Sequence, residues 1–154
     1  MSASGILAYG YNLGGGDGWE IAETGEYGEL ALDWFDPEDE DTDFVTEAEK
    51  RLLVAAGFTE TDWRADGYFA REREAKAALG VRFESYCSGD YSQYALATKV
   101  ITVSWGEVEQ IDMVELVEAP NVHGWDDKLR AALETLGLTP KQESPRWLLC
   151  SYWG

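Results

Sequence analysis

Tyr94-Ala95-Leu96-Ala97-Thr98-Lys99-Val100-Ile101-Thr102-Val103-Ser104-Trp105 is the strongest strand signal in the chain. Ile101, Val103 and Trp105 alternate onto one face, the period-two pattern of a strand with one apolar side. Reading outward, Val81 to Cys87 alternates too, with Val81, Phe83 and Ser85 on one side, and Ser88-Gly89-Asp90 is turn chemistry. Gly106 marks a bulge or corner. Val108 to Val114 is expected to continue as a further strand, and Ala119-Pro120-Asn121 reads as the turn after it. Trp147 to Trp153 is apolar on both faces, which suits a strand buried on both sides or covered by helices.

On the N-terminal side, Ile6 to Asn12 reads as a first strand and Gly14-Gly15-Gly16-Asp17-Gly18 as a flexible turn. Trp19 to Glu23 and Glu29 to Phe35 are short strand candidates joined by Thr24-Gly25-Glu26-Tyr27-Gly28. Together they predict a three-stranded antiparallel meander, with Ile21, Leu32 and Trp34 facing the core. A helix is expected to begin near Asp43, with Phe44, Val45, Ala48, Leu52 and Ala55 on one face and Gly57 as its stop. Thr46 and Glu49 would form a capping box if it starts later. A second helix is expected from about Asp66 to Leu79, closed by Gly80, with Trp63, Tyr68 and Phe69 anchoring it to the sheet. Its Glu72 and Lys76 form an i,i+4 pair. A third runs from about Asp126 to Leu136, with Leu129, Ala132, Leu133 and Leu136 as its apolar stripe, Asp126 as N-cap and Gly137 after its end.

The 154 residues are 45% hydrophobic and 13% aromatic, with seven Trp and eight Tyr, which argues against a disordered acidic chain. The whole reads as one α+β domain over residues 1–154: a mostly antiparallel sheet of about five to seven strands with three helices packed on it. Cys87 and Cys150 are too few for a disulfide framework, and both sit in strand-like runs, so buried free thiols are expected. Met1-Ser2-Ala3-Ser4 lacks a basic leader and no run of ~18 apolar residues occurs, so a cytoplasmic protein without a membrane span is expected.

Charge is the outstanding feature. The formal net charge is -18, and the first 49 residues hold 14 acids and no base. Nine of those acids fall between Asp33 and Glu49, more than helix capping requires. Such a surface serves solubility or a high-salt habitat, or it meets a partner with a basic face; solubility alone needs far less charge. Direct binding to nucleic acid or an anionic membrane is disfavoured, because no basic patch meets phosphates.

The catalytic and ligand patterns are weak. The glycine run lacks the lysine and helix start of a phosphate loop, and Asp17 and Glu20 would repel a phosphate. Asp39, Asp41 and Asp43 have the opening spacing of a calcium loop, but Phe44 and Lys50 stand where it needs Gly and Glu. His123, the only histidine, makes no zinc site with two distant cysteines. A nucleophile reading would use Cys87 or Ser88, with His123 as base and Asp126 or Asp90 orienting it. No carboxylate pair is singled out for glycoside chemistry, and most of the tryptophans fall on expected core faces.

Two stretches carry a resemblance: Tyr86-Cys87-Ser88-Gly89-Asp90-Tyr91 with the strand to Trp105-Gly106, and Pro145-Arg146-Trp147-Leu148-Leu149-Cys150-Ser151-Tyr152-Trp153-Gly154. They resemble small uncharacterised acidic proteins of actinobacteria and their phages. The resemblance covers the C-terminal half, brings no activity, and implies a phage-encoded protein. By analogy, small acidic phage proteins include DNA mimics that block restriction or CRISPR machinery.

The expectation is therefore a non-enzymatic acidic binding protein, a DNA-mimic inhibitor of a basic nucleic-acid-handling partner, with no cofactor and no metal. Fourteen carboxylates match the charge of roughly 24 Å of duplex, about seven base pairs. The residues expected at the partner are Asp33, Trp34, Asp36, Glu38, Asp39, Glu40, Asp41, Asp43 and Glu47, with Trp34 and Phe35 as apolar anchors. The alternatives are a small enzyme or ligand-binding domain with a site near Cys87, Tyr91 and His123, and a structural or virion-associated protein.

Overall fold

Two long strands set the frame. In the computed structural model, which describes residues 2–16 and 18–154, β1 (Ala3–Gly15) and β4 (Ser92–Ser104) run antiparallel, Ser4 opposite Ser104 and Gly15 opposite Gln93. β3 (Arg82–Ser88) pairs with the first half of β4, and β5 (Arg146–Trp153) with β1 from Ala3 to Gly10. A two-residue β2 (Gly18–Trp19) pairs with Gly14 and Gly15; Asp17 lies outside the described residues. The order is β2-β1-β4-β3-β5, with β5 also paired along β1. Cys87 and Ser88 meet Tyr152 and Trp153 in a short parallel pairing, so the sheet curls until β3 reaches β5.

The curl has a local cause. β1 carries irregularities between Tyr9 and Gly10 and between Asn12 and Gly14, and such bulges bend a strand. Gly10 permits the first, because a Cβ there would overlap the Leu96 carbonyl. A second, smaller core cluster joins Ile6, Ala8 and Ala97, with Tyr86, Val100, Cys150 and Tyr152 against them.

The helices cover the opposite face. α1 (Phe44–Ala55) buries Phe44, Ala48, Leu52 and Leu53. α4 (Trp125–Leu136) buries the expected stripe of Leu129, Ala132, Leu133 and Leu136. Burying each leucine is worth about 1.5–3 kcal/mol. The main core joins these to Leu13, Ile21, Leu30 and Leu96, and to an aromatic nest in which the Phe44 ring lies 5.0 Å from Trp19 and 5.7 Å from Phe83. The α+β class is as expected: five strands, mostly antiparallel, and four helices among the described residues.

Several expectations need correction. The N-terminal meander does not form. Ile21 is fully buried, but its segment pairs with the loop after α4: Ala22 N–H donates to Thr139 O at 2.9 Å and Lys141 N–H to Glu20 O at 3.0 Å. Thr24–Leu30 and Leu32–Phe35 are single bridges. Leu32 and Trp34 do pack against the core, whereas Ala55 is exposed.

The expected strand over Val108–Val114 and its turn at Ala119-Pro120-Asn121 give way to a helix, α3 (Met113–His123). Asp112 caps it, its Oδ1 accepting the N–H groups of Val114 and Glu115 at 3.1 and 3.2 Å. Pro120 sits inside α3 and cannot donate to the Leu116 carbonyl four residues back. The Trp147 indole N–H takes that carbonyl at 3.0 Å, which ties α3 to β5.

α2 (Tyr68–Leu79) ends at Gly80 as expected but buries nothing. Trp63 and Phe69 are exposed, so they do not anchor it; Tyr68 touches Phe58 instead, and α2 packs on α1. Gly124, in the left-handed region, precedes α4 where Asp126 was expected as N-cap. Asp126 instead accepts the Tyr9 hydroxyl at 2.7 Å. β5 is not buried on both sides, since Leu149 is 83% exposed. The cysteines are free but not buried: Cys87 is exposed, in the left-handed region at φ 74°, and Cys150 is half-buried.

Candidate interaction surface

The acidic tract is a loop held firmly at both ends. At its root the Trp34 indole turns inward and donates to the Leu136 carbonyl at 2.8 Å. Leu136 ends α4, so its carbonyl has no partner within the helix and the indole supplies one. The Trp34 ring stacks 5.8 Å from Phe44, and the Arg51 guanidinium lies 5.4 Å from its centroid. Trp34 and Phe35 therefore pack on the fold, half-buried, and hold the loop to it.

At the far end Asp43 caps α1. Its Oδ1 accepts Thr46 N–H at 2.9 Å and its Oδ2 accepts the Thr46 hydroxyl at 2.7 Å. The hydroxyl, and then the N–H, hold its carboxyl below the ordinary value. Glu47 lies in the first turn of α1, where the helix dipole favours a negative charge.

Between those anchors the carboxylates shape their own backbone. Asp36 Oδ1 accepts Glu38 N–H at 2.9 Å, and Asp39 Oδ1 accepts Asp41 N–H at 3.0 Å, two aspartate turns in succession. Asp33, Asp36, Glu38, Asp39, Glu40, Asp41 and Asp43 are all exposed. Among the described residues no ion pair reaches a carboxylate from Glu20 to Glu47, whereas Glu49 pairs with Lys76 at 3.3 Å. Further along, a cleft floored by Trp19, Phe35, Phe44 and Tyr94 has Glu29, Pro37 and Asp90 at its mouth. Acids from two separate segments, Glu29 and Asp90, thus line one aromatic recess. Other N-terminal acids serve the fold: Glu23 accepts Thr139 N–H at 2.7 Å and Glu29 accepts Tyr27 N–H at 2.9 Å.

Cys87, Tyr91 and His123 do not converge. The cavity beside Cys87 is lined by Asn12, Tyr86, Leu148 and Cys150, and neither Tyr91 nor His123 lines it. His123 ends α3 and stacks on Trp125 at 5.4 Å. Burial pushes the Cys150 thiol up, away from the thiolate that a nucleophile needs. No group of three or more His, Cys, Asp and Glu among the described residues is placed to hold a metal ion. No helix among them is long and apolar enough to cross a membrane.

A second surface escaped the sequence reading. Trp105, Val108, Val117 and Leu149 are each more than 70% exposed. The signal available was the double-sided apolarity of β5, whose residues are half-buried or exposed and never fully covered. No family model matches the chain, and no curated protein or solved structure matches it either.

Proposed function

We propose that this protein is a non-enzymatic acidic binding protein, a DNA-mimic inhibitor of a basic nucleic-acid-handling protein. The observation that carries the reading is the loop from Asp36 to Asp43: six carboxylates in eight residues, exposed, held at both ends and answered by no cation among the described residues. Folding such a loop costs self-repulsion, and a basic partner returns that cost on binding. Two aspartate turns and an aspartate cap fix its path, so little conformational entropy is lost at docking. The resemblance to actinobacterial and phage proteins supports a counter-defence setting, inside a cell and against restriction or CRISPR machinery.

The test is affinity capture from host lysate at low and high salt. Wild type is compared with a variant carrying Asp36→Asn, Glu38→Gln, Asp39→Asn, Glu40→Gln and Asp41→Asn. Asp43 is left in place because it caps α1. A nucleic-acid-binding protein held by wild type, released by salt and missed by the variant supports the reading. Equal capture by both proteins contradicts it.

A further inference from the structure

The uncovered part of the sheet is a second exposed surface, and it is apolar. Strand register places its strand residues. Leu7 lies opposite Ile101 in β4 and Leu149 in β5, and Gly5 lies opposite Val103. Trp105 follows at the level of Ala3, to whose carbonyl its N–H donates at 2.8 Å. Directly opposed residues share a face, so Leu7, Ile101, Val103, Trp105 and Leu149 form one apolar surface. It is the face that carries Tyr9 and Trp147 beneath α3 and α4, continued past the point where the helices stop. Beside it α3 turns Met113, Val114 and Val117 outward, each at least 65% exposed. Leu7, Ile101 and Val103 are half-buried while Trp105 and Leu149 are exposed, and clustered exposed apolar side chains of this kind mark interaction sites.

The charges around it say what would cover it. From Val100 to Asp127 the chain holds seven acids and no Lys or Arg, and Glu107, Glu109, Asp112, Glu115 and Glu118 alternate in sequence with the exposed apolar residues Trp105, Val108, Met113, Val114 and Val117. Lys99, opposite Tyr9, and Arg146, which lines a cleft with Tyr9 and Trp147, are bases at the far end of the face. A second copy would set one acidic rim against another, each on a chain of net charge -18. An anionic bilayer is repelled in the same way. We infer that this face docks a partner protein whose contact surface is apolar at its centre and ringed by lysine and arginine. The inference does not depend on the acidic loop being a binding site.

The test uses the full chain, 15N-labelled, and three defined helical peptides of equal length: Leu/Lys, Ser/Lys and Leu/Glu. The expected result is that Leu/Lys shifts the amides of residues 101–117 and 147–151. Combining Trp105→Ser, Val117→Ser and Leu149→Ser should weaken that binding about tenfold or more, as loss of interface anchors does. All three side chains are exposed, so unfolding curves should match wild type. The inference is overturned if Leu/Lys and Ser/Lys bind alike with shifts confined to residues 36–43, which would leave the loop reading intact. It is equally overturned if Leu/Glu binds as tightly as Leu/Lys, if sedimentation finds a dimer that the triple variant dissolves, or if neutral phosphatidylcholine vesicles take up wild type but not the variant.

Discussion

The protein presents two exposed surfaces, and each is rooted by a tryptophan. Trp34 gives its indole N–H to Leu136, the last carbonyl of α4, and so seats the acidic loop. Trp147 gives its indole N–H to Leu116, the carbonyl freed by Pro120, and so seats α3 beside the bare sheet. The outer surfaces differ in kind. The loop is charged, and its carboxylates also make its turns. The sheet face is apolar and rimmed by acids. Charge can be exposed because the sequence around it is polar; the apolar face is exposed because the helices run out before the sheet does.

The sharpest way to break the comparison is to ask whether the sheet face is bare in solution. Leu129→Ala, in the core, should cost about 2–5 kcal/mol by chemical unfolding. Leu149→Ala should stay within about 0.5 kcal/mol of wild type. Similar losses at both positions would mean that Leu149 is covered. Next in size is the five-residue neutralisation of the loop. It should weaken capture of a basic partner by about 100-fold at low salt, within the range of close interfacial charge pairs. The same variant should unfold at a temperature equal to or above wild type, because self-repulsion falls.

The two tryptophan roots sharpen the comparison further. Trp147→Phe should cost about 1–3 kcal/mol by leaving the Leu116 carbonyl unpaired. Pro120→Ala in that background should recover part of the loss, since an N–H then returns to that carbonyl. Additive costs in the double-mutant cycle would contradict the account of Pro120. The smallest effect is at the cap. Asp43→Ala should cost about 1 kcal/mol at neutral pH. Thr46 lowers the folded-state value of Asp43, so this contribution is present above the ordinary 3.8 and is lost as pH falls through the folded value. The stability gap between wild type and Asp43→Ala should therefore close in acid.

Much of the architecture was legible because periodicity and caps agreed. α4 shows Leu129, Ala132, Leu133 and Leu136 at helical spacing before Gly137, and the fold buries all four. The strand from Tyr94 and the start of α1 at Asp43 were readable for the same reason. α3 was not, because Val108, Ile111 and Val114 suggest a strand and Pro120 suggests a turn. What decides the helix is the Asp112 cap together with an indole 31 residues further on, and no local window contains both. The acids of the loop were plain in the sequence. Trp34 was readable as a core-facing residue, but its indole bond to Leu136 was not, since that partner is 102 residues away. Exposure of Leu149 and Trp105 was equally hidden: alternation marks a face as apolar, and only the reach of the helices decides whether it is covered.

On the proposed function, the carboxylate loop occupies the place of a nucleic acid on its partner. The most direct measurement is competition on the captured partner. A labelled duplex is bound first, and this protein is then titrated in at fixed low salt. The account predicts full displacement of the duplex by wild type and failure of displacement by the neutralised loop variant. A stable ternary complex of partner, duplex and wild-type protein would contradict it.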